Sequence, residues 1–83
     1  MSGKVLIVDD SQQARKAIKE ALADQFDEFI EADDGLSAIK AFVEDKPGFI
    51  VTDIEMPSIN GYRFISTIRS MEDGRDVPII MLS

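Results

Sequence analysis

The sequence contains no cysteine and no histidine. Without cysteine there can be no disulfide, thiolate zinc site or thiol nucleophile. Without histidine there is no imidazole base and no imidazole metal ligand. Cations are scarce: nine Lys and Arg stand against sixteen Asp and Glu, a net charge of −7 at pH 7. Binding a phosphate backbone needs a Lys/Arg surface, so this segment is not expected to bind nucleic acid. Long apolar runs are missing too. Met1 to Lys4 lead into Val5-Leu6-Ile7-Val8, which is too short for a signal-peptide core or a membrane span. A cytoplasmic protein with no membrane partner is the default expectation. No repeat, linker or low-complexity tract stands out.

What is present fits a folded globular domain: 45% apolar and 30% charged residues in a chain of 83. That length supports one domain, 1–83. A chain this short buries only a little over ~60% of its unfolded surface, so its stability is marginal.

Val5-Leu6-Ile7-Val8 is continuously apolar, as in a strand covered on both faces, and it ends in Asp9-Asp10. Ser11 suits a helix N-cap. Ala14, Ala17, Ile18, Ala21 and Leu22 recur at helical spacing, predicting a helix from about Ser11 to Ala23. Phe29-Ile30-Glu31-Ala32 reads as a second strand and Asp33-Asp34-Gly35 as a turn. Leu36, Ile39, Phe42 and Val43 share one face of a second helix that stops before Pro47-Gly48. Phe49-Ile50-Val51-Thr52 is a third strand, ending in Asp53, and Met56 to Gly61 form a loop. Phe64, Ile65 and Ile68 mark a third helix through about Met71. Glu72 to Asp76 is a polar turn. Pro78 to Leu82 is a fourth strand, and Ser83 follows. The βαβαβαβ order implies an α/β fold, a parallel sheet with right-handed crossovers.

Two strands end in acids: Asp9 and Asp10 after the first, Asp53 after the third. In open α/β sheets, ligands bind beyond the carboxyl ends of the strands, where strand order reverses. If those two strands are neighbours there, three carboxylates converge and need a counter-ion. An all-oxygen site selects a hard cation such as magnesium, Mg²⁺. An Asp beside such an ion can attack a phosphoryl group and form an aspartyl phosphate. The plainer alternative is that Asp9-Asp10 merely favour a helix dipole. Pro57 and Gly61 have local roles in fixing and turning the loop. Tyr62 and Phe64 read as packing residues.

Four motifs together resemble response-regulator receiver domains, similar to the single-domain chemotaxis type. They are Val5-Leu6-Ile7-Val8-Asp9-Asp10-Ser11, Ala32-Asp33-Asp34-Gly35-Leu36-Ser37-Ala38, Ile50-Val51-Thr52-Asp53-Ile54-Glu55-Met56-Pro57 with Gly61, and Val77 to Ser83. The resemblance implies a flavodoxin-like open parallel sheet in the order 2-1-3-4. It implies a phospho-accepting module of two-component signal transduction, not a turnover enzyme, with a histidine kinase as phosphodonor. Asp53 would be the phosphoacceptor. Asp10 would bind Mg²⁺ directly, Asp9 would help hold it, and the Glu55 backbone carbonyl would be a further ligand. Ser83 matches the switch hydroxyl that meets the phosphoryl group.

Such domains normally continue through a fourth helix, a fifth strand bearing a phosphoryl-pairing Lys, and a fifth helix. The resemblance therefore implies a truncated domain with impaired phosphorylation. A phosphatase of the haloacid-dehalogenase type is disfavoured, because Glu55 stands where that class needs a second Asp. The alternative is a non-catalytic folding or oligomerising fragment with a relic acidic site. A fourth strand without its neighbour would be an unprotected edge, since Ile79-Ile80-Met81-Leu82 carries no charge or internal Pro. A homodimer or higher oligomer through that edge is expected.

Overall fold

A computed structural model describes residues 3–82. The chain runs β1 (Lys4–Val8), α1 (Gln12–Ala21), β2 (Glu28–Ala32), α2 (Gly35–Asp45), β3 (Phe49–Asp53), α3 (Gly61–Ser70), one 3₁₀ turn (Glu72–Gly74) and β4 (Ile79–Leu82). All four strands are parallel, in the order β2-β1-β3-β4. β1 is central, and Val5, Leu6, Ile7 and Val8 are all buried, as its unbroken apolar run requires.

Side chains alternate between two layers. On one side Leu6, Val8 and Ile50 pack with Ala38 and Phe42 of α2 and with Phe64 and Ile68 of α3. On the other, Val5, Ile7 and Val51 meet Ile18 of α1 and Leu22. Each helix starts on a side-chain cap. Ser11 Oγ accepts from the Ala14 N–H, Asp34 Oδ1 from Ser37 and Asn60 Oδ1 from Arg63. Such caps satisfy donors that the first helical turn leaves open.

Several boundaries differ from the sequence reading. α1 stops at Ala21, not Ala23, and Leu22 leaves helical geometry at φ −104°, ψ 7°. Ala17 and Ala21 are exposed, so Ile18 and Leu22 carry the docking of α1. Leu36 and Val43 do not join the core face of α2; they are 60% and 55% exposed. The stripe that meets the sheet centres on Gly35, Ala38 and Phe42, and the other two lie on its flank. Pro78 precedes β4 and lends it only a carbonyl, which accepts from the Ile50 N–H at 3.0 Å. The Glu72–Asp76 turn contains the 3₁₀ segment. No helix among the described residues is long and apolar enough to cross a membrane.

Candidate acidic metal and phosphoacceptor site

β1 sits between β2 and β3, so the connections after β1 and β3 leave the sheet in opposite directions. That reversal opens a crevice above the strand ends. Val8 pairs with Thr52, and the next residue of each strand is an Asp. One carboxylate oxygen from each of Asp9, Asp10 and Asp53 lies within 4.8 Å of the others. Asp9 and Asp53 are half-buried and Asp10 is exposed.

The Asp9 N–H donates to the Ala32 carbonyl at 3.1 Å, and its Oδ1 accepts from the Ser11 N–H at 2.8 Å. Asp53 Oδ1 accepts from the Ile54 N–H at 2.8 Å, which orients the carboxylate. Buried Thr52 donates its hydroxyl to the Asp53 carbonyl at 3.0 Å. Beneath this carbonyl lies Gly61. Its N–H donates to the Ile54 carbonyl at 2.6 Å. A Cβ there would strike the Asp53 carbonyl oxygen and come within 2.9 Å of Ile54 Cα. Gly61 is thus needed for close approach, not for the turning expected from sequence. Among the described non-glycine residues of this loop, the positive φ falls on Ser58, at 70°.

The same loop rests on α2. Gly35 faces Ile59, and a Cβ at Gly35 would lie 3.0 Å from the Ile59 carbonyl oxygen. Sequence reading took Gly35 only as a turn residue. It also missed Arg15. Arg15 Nη1 donates to the Asp9 carbonyl at 2.7 Å, and its Nε pairs with Glu31 Oε1 at 3.0 Å. Lys19 pairs with Glu31 Oε2 at 3.3 Å. The available signal was two cations at i, i+4 on α1 and the acid Glu31 between apolar Ile30 and Ala32 of β2. The Arg15 hydrogen bond, aided by Lys19, holds the Glu31 carboxyl below its ordinary range. Asp34 is lowered as well, by the Ser37 hydroxyl and N–H.

Of the residues singled out from sequence, Asp9, Asp10 and Asp53 come together. Glu55 is exposed in the loop two residues beyond Asp53. Ser83 lies outside the described residues. The donor set is all oxygen. Ligand oxygens around one octahedral Mg²⁺ lie about 3 to 4 Å apart, so side-chain adjustments would be needed to bring these three acids around such an ion. Like charges gathered this closely repel one another, which gives the cluster a reason to take up a cation.

Comparison with known proteins identifies the family and agrees with the fold. The family model described as "Response regulator receiver domain" matches residues 5–83. The chain is 37% identical over 81 residues to chemotaxis protein CheY-3 of Vibrio cholerae, covering 96% of this chain and 62% of that protein. It thus spans less than two thirds of that relative's length. The solved structure of chemotaxis response regulator CheY4 of Vibrio cholerae superposes with a TM-score of 0.90 at 31% identity, covering 98% of this chain and 68% of that one. The receiver domain of a sensor histidine kinase from Pseudomonas aeruginosa, solved with a magnesium ion coordinated in its active site cleft, gives 0.89 at 27% identity, covering 100% and 68%. With the fold, the strand-end acids and the family match in agreement, this chain belongs to the response regulator receiver domain family.

Proposed function

We propose that this domain accepts a phosphoryl group on Asp53 in a two-component signalling relay. The observation that carries the reading is the convergence of Asp9, Asp10 and Asp53 within 4.8 Å at adjacent strand ends. Asp10, Asp9, Asp53 and the Glu55 carbonyl would hold Mg²⁺, which when bound supplies positive charge against the charge of the transferring group. Asp53 Oδ1 is engaged by the Ile54 N–H, which leaves Oδ2 to attack phosphorus. The new bond is Oδ2–P. The bond that breaks is P–N to the imidazole of a histidine kinase, and its electron pair returns to that nitrogen. The Ser83 hydroxyl would meet the phosphoryl oxygens. The protein's role is that of acceptor, not turnover enzyme, in the cytoplasm, without nucleic-acid or membrane contact by this segment.

These 83 residues alone include no lysine at the family's phosphoryl-pairing position. Loss of one such electrostatic contact commonly slows chemistry by ~10²–10³-fold, so the isolated chain is proposed to phosphorylate slowly. The test is mass spectrometry after incubation with a small-molecule phosphodonor and Mg²⁺. One added phosphoryl group on Asp53, lost in Asp53→Asn, is expected. No adduct after prolonged incubation, or an adduct that survives Asp53→Asn, would overturn the assignment.

A second reading concerns assembly. β4 is an edge strand, and Ile80 and Leu82 on its α1 side are 47% and 40% exposed. Unpaired edge groups beside apolar side chains favour self-association. The isolated chain is proposed to form a two-fold dimer or larger oligomer there. A folded monomer in sedimentation at tens of micromolar would defeat this.

A further inference from the structure

Arg15 joins three segments that are separate in sequence. Its guanidinium reaches the Asp9 carbonyl at 2.7 Å and Glu31 of β2 at 3.0 Å, from a side chain only 15% exposed. Lys19 lies one turn further along α1, is 45% exposed and, among the described residues, reaches only Glu31. A planar guanidinium can hold two acceptors in fixed directions, which an ammonium does poorly.

The consequence falls on the acid site. Asp9 is held through its N–H by Ala32, through Oδ1 by Ser11 and through its carbonyl by Arg15. Among the described residues, Oδ2 is the polar atom of Asp9 left without a protein partner. The Asp9 carbonyl and the Asp10 N–H share one planar peptide unit. Fixing that carbonyl therefore fixes the direction in which the chain enters Asp10. We propose that Arg15 is a positioning residue for the acid site, holding the Asp9–Asp10 peptide plane so that both carboxylates face the cation. This rests on the reading that the site binds Mg²⁺.

Charge and geometry predict opposite signs here. Arg15 is a cation near three acids, so by charge alone its removal deepens the negative potential and tightens Mg²⁺ binding. If Arg15 acts by positioning, its removal weakens binding, and outer partners of metal ligands commonly account for about 10–100-fold in affinity.

The test is Mg²⁺ titration of the unmodified chain, Arg15→Met, Arg15→Lys and Lys19→Met, followed by amide resonances, with thermal melts of each metal-free protein. Arg15→Met is expected to lose about 10-fold or more in Mg²⁺ affinity. In that variant the Asp10 and Ser11 amides should also shift before metal is added. Arg15→Lys should fall between, since one ammonium cannot serve both acceptors. Lys19→Met should stay within about twofold, because an exposed pair contributes little. Equal or tighter binding by Arg15→Met overturns the proposal, and so does an equal loss in Lys19→Met. If Arg15→Met melts below the working temperature, Arg15→Lys decides, and unchanged affinity there overturns it. Failure of the unmodified chain to bind Mg²⁺ removes the parent reading, and this inference with it. Normal binding by that chain with unchanged Arg15→Met removes this inference alone.

Discussion

The two faces of the sheet are built from the same strands yet are covered to different depths. On the α2/α3 side, Phe42, Phe64 and Ile68 are fully buried against Leu6, Val8 and Ile50. On the α1 side, α1 itself contributes no buried residue, and Ile18 and Leu22 pack only partly against Val5, Ile7 and Val51. Two helices close one face, while a single helix leaves Ile80 and Leu82 open on the other. A parallel sheet is normally covered on both sides. The difference teaches that, among the described residues, the α2/α3 side supplies most of the packing. The acid site lies above both, at the strand ends.

The sharpest way to break this comparison is to empty each face in turn. Phe64→Ala should cost about 3–5 kcal/mol, a large part of the stability of a domain this small. Ile18→Ala, from a half-buried position, should cost roughly 1–2 kcal/mol, below the usual range for a fully buried site. Urea unfolding of both would show it, and equal losses would mean the faces do not differ.

Gly61 tests whether the well-packed side also positions Asp53. Gly61→Ala forces a methyl against the Asp53 carbonyl, and overpacking of this kind costs about 1–3 kcal/mol. Its amide spectrum should show Asp53 and Ile54 displaced; an unmoved Asp53 would separate packing from site geometry.

A smaller effect on stability is expected at the open face. Ile80→Lys should change stability by no more than about 0.5 kcal/mol while shifting the chain toward monomer in sedimentation. Met81→Lys, half-buried toward the other layer, should destabilise instead.

The smallest effect concerns pH. Arg15 holds the Glu31 carboxyl below its ordinary value of 4.5. A carboxyl lowered in the folded state contributes stability that is fully present above the unfolded value and is lost as pH falls through the folded one. Thermal melts should therefore decline below about pH 4.5 through this pair, and more shallowly in Arg15→Met. Parallel slopes in the two proteins would show that the Arg15–Glu31 pair contributes nothing measurable.

Much of the fold was legible because its signals are local. The unbroken apolar runs of β1 and β3 mark buried strands, and Ser11 caps its helix by a bond to Ala14, three residues away. Asp9, Asp10 and Asp53 were legible as acids at strand ends. That they meet depended on the strand order, which the residue pattern left open and the family resemblance supplied. Less legible were Leu36 and Val43, which keep the helical period of a core stripe yet face outward. Periodicity gives the spacing of a face but not how far the sheet beneath it extends.

By itself the sequence determined the alternation of elements, the Ser11 cap and the oxygen-only chemistry of the site, since each follows from neighbours along the chain. Only the tertiary structure decided that Gly61 lies under the Asp53 carbonyl, that Gly35 receives Ile59, and that Arg15 ties Asp9 to Glu31. In each case the partners approach through the packing of helices on a twisted sheet. That approach depends on every layer at once, and no short stretch of residues encodes it.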